Sequence, residues 1–134
     1  MASVVQHANE QILQKGKIKL FAGADGYDDG EQTRDFVFVE DAAKVNLWLW
    51  QNPHVSGIYN LGTGKDESFN TLARAVLAWH KKGEIEYIPF PEILRNRYQS
   101  FTQADLTSLH KTGCDVEFLN IVSGVNKYLD ILNK

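Results

Sequence analysis

The feature that most constrains this chain is the change in spacing of its apolar residues along the sequence. Residues 17–22 alternate polar and apolar side chains, which is typical of a half-buried strand. Residues 68–82 instead repeat apolar side chains at helical spacing, from Phe69 to Leu77. Because strands and helices alternate, we expect an α/β fold. Only about four strand segments are present, and they need not all belong to one sheet.

The other segments complete this pattern. Further strands are predicted at residues 34–39, 57–61 and 85–89. Further helices are predicted at residues 3–15, 41–51 and 102–113, and a last helix carries Phe118 on its apolar stripe. Ser3, Asp41, Ser68 and Thr102 are the predicted N-terminal caps of four helices. Residues 57–61, Gly-Ile-Tyr-Asn-Leu, resemble a strand buried on both faces. Residues 23–33 hold three glycines and four carboxylates, so we expect a mobile loop there.

Composition narrows the class of protein. The 134 residues suffice for one domain, and a hydrophobic fraction of 43% argues against disorder. A formal net charge of -3 gives no long-range attraction to nucleic acid or anionic lipid. The single cysteine, Cys114, cannot form an internal disulfide, which favours the cytoplasm. No apolar run approaches the ~18 residues of a membrane span, so we expect no transmembrane helix. Residues 1–15 are too polar for a signal peptide, so we expect none there.

Several catalytic patterns are missing from the sequence. A dinucleotide site needs a third glycine after a Gly-x-Gly turn, but Glu67 stands where Gly62-Thr63-Gly64 requires it. None of the five tyrosines has a lysine four residues later, as the Tyr-x-x-x-Lys of short-chain dehydrogenases requires. The four histidines lack paired metal-ligand spacing. The sequence therefore assigns no catalytic, cofactor-binding or metal-binding residue to this chain.

Three stretches carry a resemblance to a known family. Residues 34–43, Arg-Asp-Phe-Val-Phe-Val-Glu-Asp-Ala-Ala, resemble a signature of extended short-chain dehydrogenases that act on nucleotide sugars. Residues 57–64 resemble a strand and turn of the same superfamily. Residues 67–91 and 97–106, with the opening Met1-Ala2-Ser3-Val4, closely resemble the ADP-L-glycero-D-manno-heptose 6-epimerases. This resemblance covers essentially the whole chain.

The resemblance implies a fold and a function. Residues 1–134 would form one unit, the C-terminal substrate-binding portion of a Rossmann-type fold that lacks most of the dinucleotide-binding sheet. The family inverts C6 of ADP-heptose by NADP-dependent oxidation and reduction, for lipopolysaccharide core synthesis. Its NADP-binding half lies upstream, so we expect this chain alone to be inactive. Family members form homo-oligomers, described as pentamers.

The resemblance also implies a binding site. The positions that match family contacts to the ADP-sugar are His7, Phe21, Ala22, Gly23, Ala24, Arg34 and Tyr98. Arg34 offers a planar charged fork to a pyrophosphate, although it can equally pair with Asp35 or Glu40. The loop at residues 23–33 is longer and more acidic than the family pattern, and its carboxylates would repel a pyrophosphate that they faced.

Two alternatives stay open at this point. The chain is also compatible with part of another nucleotide-sugar epimerase or dehydratase, which a uracil or guanine nucleotide as ligand would indicate. It is compatible, too, with a non-catalytic module that binds sugar nucleotides or a partner protein. A gene that encodes only these residues would favour that second alternative.

Overall fold

Two small sheets and a set of packed helices make up the fold. The computed structural model describes residues 3–95 and 97–134. The helices are α1 (Val4–Lys15), α2 (Val39–Gln51), α3 (Phe69–His80), α4 (Thr107–His110) and α5 (Ile121–Leu132), and a 3-10 turn lies at Glu92–Leu94. The strands are β1 (Lys17–Phe21), β2 (Thr33–Arg34), β3 (Glu67–Ser68) and β4 (Glu84–Ile88). The expected α/β class is confirmed.

The two sheets bring distant parts of the chain together. Strands β1 and β4 pair in parallel, with Lys17 opposite Glu84 and Phe21 opposite Ile88. Strands β2 and β3 pair antiparallel, with Arg34 opposite Glu67. The second pairing matters for the site, because it places Arg34 next to the start of α3.

The main core lies between helices and the β1–β4 sheet. Helices α1, α3 and α5 pack together here, and the largest fully buried side chains are Ile12, Ile18, Leu72, Val76 and Leu129. Burying one such side chain contributes about 1.5–3 kcal/mol to the free energy of unfolding. A smaller apolar cluster under α2 contains Val45, Leu109 and Cys114, with Tyr59 and Leu61 packed against it.

Local signals predicted where α1 ends and where α3 begins. Gly16 ends α1 in the left-handed conformation with φ 67°, and its N–H donates to the Ile12 carbonyl at 3.0 Å. The Ser68 hydroxyl caps α3 by accepting from the Thr71 N–H at 3.1 Å. Ser3 occupies the N-cap position of α1 without a side-chain cap.

Two predicted caps are wrong. Helix α2 begins at Val39, so Asp41 lies inside its first turn, fully buried. Its carboxylate accepts instead from Lys44 Nζ at 2.7 Å and from the backbone N–H of Leu119 at 2.9 Å. Thr102 begins no helix, because its hydroxyl accepts the Asp35 N–H at 3.4 Å and α4 starts only at Thr107. In both places a distant segment takes the oxygen that a local cap would have used.

Two predicted strands are also wrong. Only Arg34 of residues 34–39 is in a strand, and residues 57–61 pair with no strand in the part of the chain that the structure describes. The side chain of Ile58 is 99% exposed, whereas a strand buried on both faces would cover it. Sheet hydrogen bonds need a partner strand, and none of the four described strands pairs with this segment.

The structure also bears on membrane insertion. Among residues 3–95 and 97–134, no helix has both the length and the apolar composition that crossing a bilayer demands.

Candidate functional site

Arg34 is held between two aromatic rings. Its guanidinium carbon lies 4.9 Å from the centre of the Tyr98 ring and 5.7 Å from that of Phe69. Both distances are within the range of a cation–π contact. Its Nη1 donates to the carbonyl of Thr33 at 2.7 Å, which fixes one edge of the guanidinium. The contacts orient the charged group before any ligand arrives.

Within the described residues, Arg34 does not form the alternative ion pair with Asp35 or Glu40. The ion pairs that the described residues form are Lys17–Glu84, Lys44–Asp41 and Arg95–Glu92. Within the same residues, no carboxylate lies at ion-pair distance from Arg34. Arginine carries five N–H donors, so donors remain for an anionic ligand.

An aromatic cluster supports Tyr98. The rings of Phe21, Phe90 and Tyr98 contact one another edge to face, with centres 5.3–6.0 Å apart. Burial raises the pKa of the Tyr98 phenol, and the positive charge of Arg34 only partly opposes this rise. The hydroxyl is therefore neutral at ordinary pH and can donate a hydrogen bond.

Sequence reasoning missed two members of this arrangement. Phe69 was assigned to the apolar face of a helix, and Phe90 follows a strand between two prolines. Phe90 was given no role, and nothing in the local pattern of either residue indicates that it touches Arg34 or Tyr98. Only the β2–β3 pairing and the path of the chain after β4 bring them there.

Asp35 organises the segments around Arg34. Its two carboxylate oxygens accept from the Thr63 N–H at 2.8 Å, the Thr63 hydroxyl at 2.6 Å, the Gly64 N–H at 3.0 Å and the Ala104 N–H at 3.1 Å. One side chain thus joins the residue after Arg34 to the turn at 62–64 and to the segment that follows Tyr98. The sequence placed Asp35 in a family signature and named it only as an alternative ion-pair partner of Arg34.

Residues 22–24 lie at the exit of β1. The Ala22 N–H donates to the Ile88 carbonyl at 2.8 Å, which ends the ladder, and the Gly23 N–H donates to Asp29 Oδ1 at 2.7 Å. Together with Ala24 they line an open cavity of about 810 Å³. A Cβ on Gly23 would stand 2.4 Å from the Tyr27 carbonyl oxygen, so the loop's own packing already requires glycine.

The acidic loop at residues 23–33 is bonded to the scaffold at several points. Asp25 Oδ2 accepts from the Ser100 hydroxyl at 2.6 Å, and the Glu31 carboxylate accepts from the Asn70 side-chain amide. The Gly30 N–H donates to the Phe21 carbonyl at 3.0 Å. These bonds define one geometry for the loop, and its mobility stays a prediction.

His7 lies apart from these contacts. It is on the exposed side of α1, and its Nε2 is 3.0 Å from Gln11 Nε2. Within the described residues, no hydrogen bond or aromatic contact joins it to Arg34 or Tyr98. The structure therefore brings Phe21, Arg34 and Tyr98 together and places residues 22–24 next along the chain from Phe21. The binding role of His7 stays a prediction.

The turn Gly62-Thr63-Gly64 does not fit a dinucleotide. In nucleotide-binding turns the backbone N–H groups are free to meet the pyrophosphate. Here the N–H groups of Thr63 and Gly64 both donate to Asp35, which would place its negative charge against a phosphate.

No group of three metal-ligating side chains is found among the described residues either.

Comparison with known proteins agrees with this architecture. The profile of the NAD dependent epimerase/dehydratase family matches residues 1–62. Over these residues the chain resembles that family. More particularly, it is 57% identical over 130 residues to the ADP-L-glycero-D-manno-heptose-6-epimerase of Alkalilimnicola ehrlichii. The alignment takes in 97% of this chain but only 41% of that relative, so the chain spans about two-fifths of the relative's length.

Solved structures show the same partial coverage. The ADP-L-glycero-D-manno-heptose-6-epimerase of Helicobacter pylori superimposes with a TM-score of 0.80 at 26% identity, over 99% of this chain and 38% of that one. The UDP-glucose 4-epimerase of Thermus thermophilus, solved with NAD, gives a TM-score of 0.72 at 24% identity, over 92% and 37%. The second likeness concerns the fold alone. The predicted fold, part of a Rossmann-type epimerase, is confirmed.

Proposed function

We propose that this chain is the nucleotide-sugar-binding part of an ADP-glycero-manno-heptose 6-epimerase. Such an enzyme inverts C6 of ADP-heptose for lipopolysaccharide core synthesis. The observation that carries the proposal is Arg34, which is oriented by Tyr98 and Phe69 and makes no ion pair with a described carboxylate. A guanidinium presented in this way suits the two charged phosphates of an ADP-sugar.

The remaining site residues have complementary roles in this proposal. Tyr98 offers a ring face and a neutral hydroxyl, and Phe21 supports that ring from β1. The backbone of residues 22–24 meets the neutral parts of the ligand, and His7 donates to or accepts from a sugar or phosphate oxygen. Asp35 does not touch the ligand, but it holds the segments that carry Arg34 and Tyr98 in register.

The redox chemistry belongs to another part of the enzyme in this proposal. When bound there, NADP would supply reversible oxidation of the C6 carbinol to a ketone. The N–H groups of the Gly62-Thr63-Gly64 turn already donate to Asp35, so they are not free to bind a pyrophosphate. We therefore place the NADP site in the portion of the relative that this chain does not span. The chain alone is then an ADP-sugar-binding unit without turnover. A cytoplasmic location and a homo-oligomeric, pentameric assembly belong to the same proposal.

Calorimetric titration with ADP tests the role of Arg34. The Arg34→Ala substitution removes charge-assisted bonds to phosphate, so ADP affinity should fall by about 10- to 150-fold. Arg74→Ala is the matched control, because Arg74 is exposed on α3 and should leave ADP affinity unchanged. Equal affinity of the wild type and the Arg34→Ala variant would contradict the proposal.

The choice of nucleotide separates the proposal from its alternatives. Titrations with UDP and GDP should show weaker binding than the titration with ADP. A preference for UDP or GDP would indicate another nucleotide-sugar epimerase or dehydratase. Incubation of the chain with ADP-heptose and NADP should give no C6 epimer, and turnover above a protein-free blank would contradict the assignment of the chemistry to another part.

A further inference from the structure

We propose that Asp29 is a specificity-determining residue. Its carboxylate already accepts the hydrogen bond of a backbone N–H group, so that group is not available to an anionic ligand. This inference rests on the proposed function, since it concerns a ligand that reaches residues 22–24. Under this inference, the loop keeps the charged phosphates of the ligand away from Gly23, so that they bind at Arg34.

The geometry around Gly23 leads to this inference. Ala22 is the last residue whose N–H pairs with β4, so Gly23 carries the first amide beyond the ladder. That amide donates to Asp29 Oδ1 at 2.7 Å, a short distance typical of a bond to a charged acceptor. Gly23 and Asp29 are both exposed, so solvent and ligands reach this bond.

The position of Asp29 is set by the scaffold. Its backbone carbonyl accepts from the side-chain amide of the buried Asn70 at 2.8 Å. The neighbouring Gly30 is bonded on both sides, to the Phe21 carbonyl and to the Asn70 N–H. With the main chain anchored in this way, the Asp29 side chain reaches back across the loop to Gly23.

The other carboxylates of the loop are arranged differently. Asp25 is bonded to Ser100 and Glu31 to Asn70, so both are already committed to the scaffold. Asp28 is exposed, and its side chain makes no hydrogen bond within residues 3–95 and 97–134. Asp28 and Asp29 therefore carry the same charge at adjacent positions, but only Asp29 is bonded to Gly23.

The bond has a consequence for the ligand. A phosphate oxygen at the Gly23 amide would have to displace Asp29 and would then lie close to its negative charge. A hydroxyl or nucleobase group brings no such charge repulsion. The site around residues 22–24 is therefore selective for the neutral part of a nucleotide sugar, whereas the diphosphate lies at Arg34.

Titration of three variants with ADP tests this inference. Asp28→Ala removes a charge from the loop, whereas Asp29→Ala removes a charge and also frees the Gly23 amide. Asp29→Ala should bind ADP about 2- to 10-fold more tightly than Asp28→Ala does. Asp29→Asn should be intermediate, because its amide oxygen can still accept from Gly23. Equal affinities for the two alanine variants, or weaker binding by Asp29→Ala, would overturn the inference.

A measurement without ligand separates this inference from the proposed function. The Gly23 amide should exchange with solvent faster in Asp29→Ala than in the wild type, as followed by NMR, and Asp28→Ala should leave the rate unchanged. Unchanged exchange in Asp29→Ala would overturn the inference whatever the affinities. If exchange responds as expected but neither the wild type nor any variant binds ADP, the proposed function fails and the ligand part of this inference fails with it.

Discussion

Asp35 shows how one side chain can hold a site together without belonging to it. Its carboxylate accepts three backbone N–H groups and one hydroxyl, from segments 28 to 69 residues away in the sequence. Arg34 and Tyr98 flank these anchored segments. The orientation of the guanidinium over the Tyr98 ring therefore depends on a neighbour that makes no contact with the proposed ligand.

We expect Asp35→Asn to destabilise the chain. The substitution replaces one carboxylate oxygen with an NH2 group, which would face N–H donors of Gly64 and Ala104 or of Thr63. Leaving such donors unsatisfied should lower the free energy of unfolding by about 1–3 kcal/mol. Urea unfolding measures this, with Asp115→Asn as a control that removes the same charge from an exposed position. Equal midpoints for the two variants would refute the role of Asp35.

Helices α1, α3 and α5 are joined by a buried polar group as well as by the apolar core. His80 Nε2 lies 2.7 Å from Asn9 Oδ1, and the same oxygen accepts from Asn133 Nδ2 at 3.2 Å. Each of the three helices, or the residue that ends it, contributes one side chain. Burial lowers the pKa of His80, and the nearby charge of Lys82 lowers it further.

This packing predicts a loss of stability in mild acid. Because the folded chain favours neutral His80, its full contribution is present above the ordinary histidine pKa of 6.5 and decreases as the pH falls through that value towards the folded-state pKa. Thermal unfolding followed from about pH 8 to pH 5 should show this slope. His80→Gln should flatten it, whereas His110→Gln, at an exposed position, should leave it unchanged. Parallel curves for the wild type and His80→Gln would contradict the prediction.

Asp41 contributes in a separate, more acidic range. Burial alone would raise the pKa of its carboxyl, but the bonds from Lys44 and the Leu119 N–H outweigh this effect and lower it. The stabilisation is therefore present above the ordinary value of 3.8 and disappears as the pH falls through the lower folded-state value. The contribution of this contact to the free energy of unfolding should be lost only in that range.

Several large apolar side chains are exposed to solvent on the surface of the molecule. Ile58 is 99% exposed and Trp50 is 79% exposed, and the segment at 57–61 has no strand partner in the described parts of the chain. Because the chain spans only 41% of its epimerase relative, we expect the remainder of such an enzyme to cover part of this surface. Uncovered apolar surface and an unpaired extended segment both favour association.

We expect the isolated chain to self-associate and to bind a hydrophobic dye. Ile58→Lys should reduce both effects, because it places a charge on the most exposed large apolar side chain of residues 3–95 and 97–134. Ile93→Lys is the matched control, since Ile93 is 78% exposed but lies after β4, outside the segment at 57–61. Light scattering over a concentration series, with dye titration, measures the outcome. A monomeric, dye-silent wild type would mean that residues 1–134 form a closed domain.

What the sequence by itself determined lies within short stretches. Gly16 ends one helix and Ser68 begins another through hydrogen bonds to residues three or four positions away, and β1 and β4 follow from local patterns of side chains. Such signals need no knowledge of the rest of the fold. The family resemblance likewise rests on contiguous motifs, and it selected Arg34 and Tyr98 without indicating how they meet.

The tertiary structure alone decided which groups satisfy one another. Residues 57–61 have the composition of a buried strand, but a strand needs a neighbour, and the described chain supplies none beside it. Asp41 has the chemistry of a cap, but the Leu119 amide, 78 residues away, takes its oxygen. Asp29 and Gly23 are close in sequence, yet only the anchoring of the loop on Asn70 turns the carboxylate towards that amide. Hydrogen bonds and sheet pairing depend on partners brought together by folding, so a local pattern specifies the group and not its partner.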